Sequence, residues 1–168
     1  MELETRVLSQ AIQNVLYNIG GSLGTAESCT GGRIAESLAA IPGASNYFKG
    51  GIVSYTNELK ECLLNVSHEI LEEYSAVSEE VAREMVKGAC ETLDCTYAIS
   101  ATGIAGPTGG TPTIPVGTIW LAYGTQSDVH TYKLTEDFGR DRNLAIATNK
   151  ALQLLLEFLQ NKQLSELK

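Results

Sequence analysis

Three short segments carry residue types that could do chemistry. The first is TAESCTGG, residues 25–32. Ser28 and Cys29 are nucleophile types, and they stand directly before Thr30, Gly31 and Gly32. Residues 22–27 read as a short strand and residues 32–41 as a helix, so the run is a strand-to-helix turn. A helix start leaves about four backbone N–H groups without partners and carries partial positive charge. Glycines let a ligand approach that backbone closely. Such a turn suits a bound phosphate, or an oxyanion that develops during reaction. Two readings stand on this segment alone. In one, Ser28 or Thr30 is an ordinary N-cap and the glycines serve helix–sheet packing. In the other, Ser28 attacks a carbonyl held at the turn. Cys29 is a rival nucleophile, whose pKa a helix N-terminus would lower.

The second segment is YTNELK, residues 55–60. Residues 51–56 read as a strand ending on Tyr55, and Asn57 is a good N-cap for a helix from Glu58. That puts Lys60 in the first turn, where the helix dipole disfavours an ammonium. Partial burial would push its pKa down further. A neutral Lys could take a proton from a serine hydroxyl, with Tyr55 relaying a proton or orienting the amine. The competing reading is an exposed, charged Lys60 beside Glu58 and Glu61. A short-chain dehydrogenase is excluded: the Tyr-to-Lys spacing is one residue too long, and no Gly-rich dinucleotide fingerprint follows a first strand.

The third segment, ATGIAGPTGG, puts four glycines within residues 103–110, just after a strand read over 96–101. In an open α/β sheet, ligands bind at the carboxyl ends of strands. Thr102, Gly103, Ile104 and Ala105 could offer backbone N–H groups to a phosphate or carboxylate, with Gly106 in the same loop. A surface loop of tight turns is the other reading. It is not a Walker A loop, because no Gly-Lys-Ser/Thr follows. Downstream, FGRDR places Arg140 and Arg142 at a helix start, where a bound phosphate would favour arginine. For Arg140 the expected partner is instead Asp137 or Asp141.

The elements that must position these segments follow from periodicity. Leu3, Val7, Leu8, Ala11, Ile12, Val15, Leu16 and Ile19 recur as one face of a helix over 2–19. Ile34, Leu38 and Ile41 face inward from the second helix. Ser67 caps a short helix, and Ser78 opens a longer one with Val81, Met85, Ala89 and Leu93 inside. Strands over 116–123 and 129–134 predict a hairpin, and a last helix is expected over 141–161. Helices and strands alternate. The expected fold is therefore α/β: a three-layer α/β/α domain with a mixed, mostly parallel sheet and a late hairpin. One domain is expected over 1–162, with a frayed tail at 163–168.

Composition limits the partners. The chain has 168 residues, with 20 acidic and 12 basic side chains and a net charge of −8. That balance argues against nucleic acid and against an acidic membrane surface. No apolar run approaches the roughly 20 residues that span a bilayer, and no basic-then-apolar leader opens the chain, so a cytoplasmic protein is expected. Cysteines 29, 62, 90 and 95 form no CxxC pair, and reduced thiols are expected.

With these segments in order, the chain resembles the CinA C-terminal domain family (competence/damage-inducible protein A) in its stand-alone form. TAESCTGG, YTNELK, AVSEEVA, TGIAGPTGG and PVGTIW carry the resemblance, which covers about residues 5–160. It implies a nicotinamide-nucleotide amidase: nicotinamide mononucleotide plus water gives nicotinate mononucleotide plus ammonia, with no metal and no cofactor. It implies Ser28 as nucleophile, Lys60 as general base and Tyr55 as an assisting residue. The TGIAGPTGG loop and Arg142 would help hold the nucleotide. Backbone N–H groups around Thr30 and Gly31 would stabilise the oxyanion, and a homodimer or higher homo-oligomer is expected. This sequence departs from the family in having Arg140 where a glycine is usual, and Ile146 and Ala147 where basic residues often follow. A non-catalytic nucleotide-binding module and a thiol amidohydrolase using Cys29 remain alternatives.

Overall fold

Five strands form one sheet: β1 (Leu23–Glu27), β2 (Phe48–Val53), β3 (Tyr97–Gly103), β4 (Ile119–Gly124) and β5 (Val129–Leu134). Their order is β2-β1-β3-β4-β5. β1 pairs in parallel with β2 and β3, while β4 is antiparallel to both β3 and β5. Four strands thus run one way and β4 alone runs against them. The sheet is mixed, as expected, with two parallel and two antiparallel pairings. The computed structural model describes residues 2–166.

Among the described residues, six α-helices cover the sheet: α1 (Leu3–Ile19), α2 (Arg33–Ala39), α3 (Asn57–Leu64), α4 (His68–Tyr74), α5 (Glu79–Thr92) and α6 (Arg140–Glu166). Alternation along the strands divides the core in two. Leu23, Ile99 and Leu121 pack against Ile12 and Leu16 of α1, Ile34 and Leu38 of α2, and Leu152 and Leu155 of α6. Ala26, Ala98 and Ala122 face the other way, against Leu64 of α3, Leu71 of α4 and Val81 and Met85 of α5. This is the three-layer arrangement. β1 is buried along its whole length, as a central parallel strand must be.

Several boundaries differ from expectation for identifiable reasons. β2 lies at 48–53, not 51–56. Gly51 pairs with Thr25, and a Cβ there would sit 2.5 Å from Thr25 Oγ1 and 2.8 Å from the Ala35 Cβ, so α2 closes over the strand at a glycine. The ladder continues through the Ser54 N–H, and Tyr55 lies in the loop beyond it. Thr56, not Asn57, caps α3, its hydroxyl accepting the Leu59 N–H at 3.4 Å. Ser67 and Ser78 cap α4 and α5 as expected.

In α1 the buried stripe is rotated. Leu3 is 79% exposed and Val7 is also exposed, while Thr5, Ser9 and Gln13 are buried. The Thr5 hydroxyl donates to Asn149 Oδ1 at 2.7 Å, and Gln13 Nε2 donates to the Pro42 carbonyl at 3.1 Å. α6 runs on to Glu166, so the tail expected to fray from 163 is helical that far; residues 167–168 lie outside the described residues. Lys162 pairs with Asp128 at 2.9 Å, which ties this end of the helix to the hairpin. Among the described residues, no helix is long and apolar enough to cross a membrane.

Candidate active site

The carboxyl ends of β1, β2 and β3 lie side by side, and each delivers one wall of a cleft. The Ser28 N–H donates to the Ala101 carbonyl at 2.9 Å, and the Ser54 N–H to the Glu27 carbonyl at 2.8 Å. These bonds carry the parallel ladders one residue past β1 and β2. The residues that follow turn away and enclose about 300 Å³ between Ser28, Tyr55, Lys60, Gly103, Gly106 and Arg140. This is where ligands bind in an open α/β sheet.

At the floor, Ser28 and Lys60 meet. Lys60 is only 1% exposed. Its Nζ lies 3.0 Å from Ser28 Oγ and 2.8 Å from the Ser54 carbonyl, and it donates to both. Burial holds the Lys60 pKa below the ordinary lysine value. The reading of Lys60 as an exposed, charged surface residue is thereby excluded. The group that orients the amine is the Ser54 carbonyl, which sequence reasoning missed. Tyr55 does not take that part: it is 56% exposed at the rim, and its hydroxyl accepts from Arg140 Nη2 at 3.3 Å.

The turn after Ser28 works differently from expectation. Gly31 and Gly32 have φ of 59° and 99°, the left-handed conformation that glycine adopts without strain. Their amides are not open to a ligand. The Gly31 N–H donates to the Ser28 carbonyl at 3.0 Å. The fully buried Glu27 carboxylate accepts from the amides of Gly32 (3.1 Å), Ile34 (3.1 Å) and Ala35 (2.8 Å). The anion suited to the start of α2 is thus supplied by the chain itself. Neither Ser28 nor Thr30 is the cap; the buried Thr30 hydroxyl has no partner among the described residues. Thr30, Gly31 and Gly32 do not line the cleft. Glu27 was missed, although a carboxylate just ahead of a glycine-opened helix is the signal that could have found it. The amides of Cys29 and Thr30 lie beside the Cys29 sulfur and donate to no protein oxygen among the described residues.

Cys29 is not activated. Burial, the largest effect, and the nearby Glu27 charge push its thiol up to about 12. The lowering expected from the helix start is outweighed by desolvation, so the sulfur stays protonated at neutral pH.

The 103–110 loop forms the opposite wall. Thr102, Gly103, Ile104, Ala105 and Gly106 all line the cleft. Thr102 and Gly103 belong to the β3–β4 ladder, and the Ile104 N–H donates to the Thr118 carbonyl at 2.8 Å, so its amide is not free for a ligand. Among the described residues, the amides of Ala105 and Gly106 donate to no protein group. Asn143, a third residue missed from sequence, holds this wall. Its Nδ2 donates to the Ala105 carbonyl at 3.0 Å and to Asp137 Oδ1 at 2.9 Å.

Neither arginine takes its expected part. Arg142 is exposed and lies outside the cleft lining. Arg140 lines the cleft and donates from Nη1 to the Gly106 carbonyl at 2.7 Å. The ion pair expected for it with Asp137 or Asp141 is not among the salt bridges of the described residues. Arg140 opens α6, and its side chain turns back over the loop instead of along the helix.

Comparison with known proteins agrees with this architecture. Residues 5–159 match the CinA C-terminal domain. The chain is 39% identical to a CinA-like protein of Amoebophilus asiaticus over 94% of its own length and 38% of that protein's. It is 44% identical to a CinA-like protein of Thermosipho melanesiensis over 85% of this chain and 36% of the relative. It thus spans less than about two-fifths of these relatives. Solved structures of similar size superpose closely. The competence/damage inducible protein CihA of Agrobacterium tumefaciens gives a TM-score of 0.90 at 35% identity, covering 95% of this chain and 99% of that one. A CinA superfamily protein of Escherichia coli gives 0.89 at 36% identity, covering 94% and 92%. In sequence and in fold, this chain belongs to the CinA C-terminal domain family.

Proposed function

We propose that the chain is an amidohydrolase that converts nicotinamide mononucleotide to nicotinate mononucleotide and ammonia. The observation that carries this reading is the buried pair of Lys60 Nζ and Ser28 Oγ, 3.0 Å apart on the floor of an open cleft. A desolvated lysine with a lowered pKa can act as a base toward a serine hydroxyl.

In the proposed reaction the Ser28 oxygen attacks the carboxamide carbon, and Lys60 accepts the hydroxyl proton. The oxyanion is assigned to the Cys29 amide, because Cys29 lines the cleft, whereas Thr30 does not and the Gly31 amide is already used. Lys60 returns the proton to the departing nitrogen, ammonia leaves, and a nicotinoyl ester remains on Ser28. Water then attacks that ester, Lys60 takes its proton, and Ser28 leaves as the alcohol. One water is consumed and one ammonia released, with no redox step. The Ser54 carbonyl keeps the amine aimed throughout.

Ammonia release from nicotinamide mononucleotide tests this directly. Ser28→Ala is expected to lower turnover by about 10³-fold or more and Lys60→Ala by about 10²–10⁴-fold, with the fold intact. Unchanged turnover in Ser28→Ala would overturn the assignment. A melting shift with ligand but no ammonia from wild type would favour a nucleotide-binding module. A homodimer or higher homo-oligomer belongs to the same proposal, and light scattering tests it.

A further inference from the structure

We propose that Arg140 is the specificity residue of this cleft: it selects substrates whose far end carries an anion, a phosphate monoester on the nucleotide reading. This rests on the proposal that the Ser28–Lys60 cleft hydrolyses a small amide.

The argument begins with charge. The chain holds 20 acidic and 12 basic residues, yet the cleft lining includes Lys60 and Arg140 and no Asp or Glu. Lys60 is sealed beneath Ser28 and committed to two acceptors, which leaves Arg140 as the cation facing the opening.

Arg140 is also uncompensated. Its partners are the Gly106 carbonyl and the Tyr55 hydroxyl, both neutral. No carboxylate forms an ion pair with it among the described residues. A guanidinium has five N–H donors, so donors remain for a ligand. Arg140 is moreover the first residue of the 27-residue α6, where the helix dipole disfavours a cation. An anion on the guanidinium would relieve that conflict and draw favour from the same dipole.

The geometry adds a positioning function. Arg140 spans the cleft mouth, joining the Gly106 wall to the Tyr55 wall. An anion bound there is fixed relative to Ser28, because the Tyr55 and Gly106 walls extend β2 and β3, the two strands that flank β1, and β1 leads into Ser28. Arg142, exposed and outside the lining, does neither.

The test compares a phosphorylated amide with its phosphate-free counterpart, nicotinamide mononucleotide against nicotinamide riboside. Wild type is expected to favour the phosphorylated substrate by about 10–100-fold in kcat/KM, mostly through KM. Arg140→Gln should collapse that ratio to within a few-fold, and Arg142→Gln should leave it unchanged. Equal loss on both substrates would show Arg140 to be merely a strut, and an unchanged ratio would show it to be idle; either overturns the proposal. A second measurement is independent of turnover: calorimetric binding of ribose 5-phosphate and of ribose to Ser28→Ala protein. Binding of the phosphate alone, lost in Arg140→Gln and weakened by salt, supports the proposal even if nicotinamide mononucleotide is not the substrate. No binding of ribose 5-phosphate, or binding that survives Arg140→Gln, overturns it.

Discussion

Lys60 Nζ and Ser28 Oγ lie 3.0 Å apart although 32 residues separate them in the chain. The pair exists because β1 and β2 are parallel neighbours whose carboxyl ends open on the same side. One end delivers Ser28, and the other delivers Ser54 and then α3 with Lys60. Burial sets the amine's chemistry, and this has a measurable pH consequence. Below its folded-state pKa, Lys60 is an ammonium and cannot accept a proton. The rate of ammonia release should therefore rise with pH and level off below 10.5, the ordinary lysine value. A rising limb at or above that value would contradict the role given to burial.

The same shift acts on stability, with a definite sign. The folded-state pKa is lowered, so the unfolded chain binds the proton more tightly. Stability is lost as the pH falls from 10.5 toward the folded-state value, and the full loss is felt below it. Lys60→Met keeps the length and removes the desolvated amine. It should abolish ammonia release while leaving the melting temperature at pH 7 unchanged or higher. A fall of more than a few degrees would mean that the two hydrogen bonds outweigh the desolvation cost.

Much of this was readable from residues, and the remainder was hidden for physical reasons. The helices that carry Ile34, Met85 and Leu155 showed in their 3.6-residue spacing, because apolar burial leaves that trace. Lys60 could be placed in the first turn of a helix from its neighbours. Its burial could not, because that depends on β1 and β2 bringing Ser28 and Ser54 to its amine. The inner stripe of α1 was misread because Thr5 and Gln13 are buried through hydrogen bonds, which hydrophobic periodicity does not record. Arg140 and Arg142 differ by two positions at a helix start, roughly 200° of rotation at 3.6 residues per turn. Which of them meets the cleft is decided by the direction in which α6 leaves the 137–139 turn. The start of α2 was read as open to a phosphate or an oxyanion, but its amides are taken by Glu27, which sits next to Ser28 in the chain itself.

Glu27 should be a strong determinant of stability. Its carboxylate is fully buried and satisfies three amides. Glu27→Gln puts an NH₂ group where one acceptor oxygen stood, facing N–H donors, and removes a charge that favours the helix start. A loss of about 1–3 kcal/mol is expected from the unpaired donors alone. Urea unfolding measures it. Activity should fall too, since the turn that presents Ser28 is built on these bonds. A variant as stable as wild type would show that the carboxylate is not what holds the turn.

Cys29 should be inert although it adjoins the nucleophile. Its thiol is buried and pushed up to about 12, so almost no thiolate exists at pH 7.5. Iodoacetamide on the native protein should modify the exposed Cys62 and leave Cys29 unlabelled, as peptide mass mapping would read. Ammonia release should survive that treatment. Rapid labelling of Cys29 with parallel loss of activity would instead favour a thiol mechanism.

Gly88 offers a remote test of how the amine is positioned. It lies in α5, and a Cβ built on it would fall 1.8 Å from the Leu64 carbonyl oxygen and 2.8 Å from the Leu64 Cα. Both are backbone atoms at the end of α3, so no side chain can swing aside. α3 must move away as a body, and Lys60 moves with it. Gly88→Ala places a better helix former in α5, so propensity alone would make the variant more stable by up to about 1 kcal/mol. Overpacking works against this and typically costs about 1–3 kcal/mol. The expected outcome is a less stable protein whose remaining folded fraction turns over substrate at least about tenfold more slowly, with kcat affected more than KM. Gly20→Ala, at a left-handed C-cap with open space around it, is the control: it should cost stability and leave kcat alone. If Gly88→Ala loses stability but keeps full kcat, Lys60 does not depend on the seat of α3 against α5.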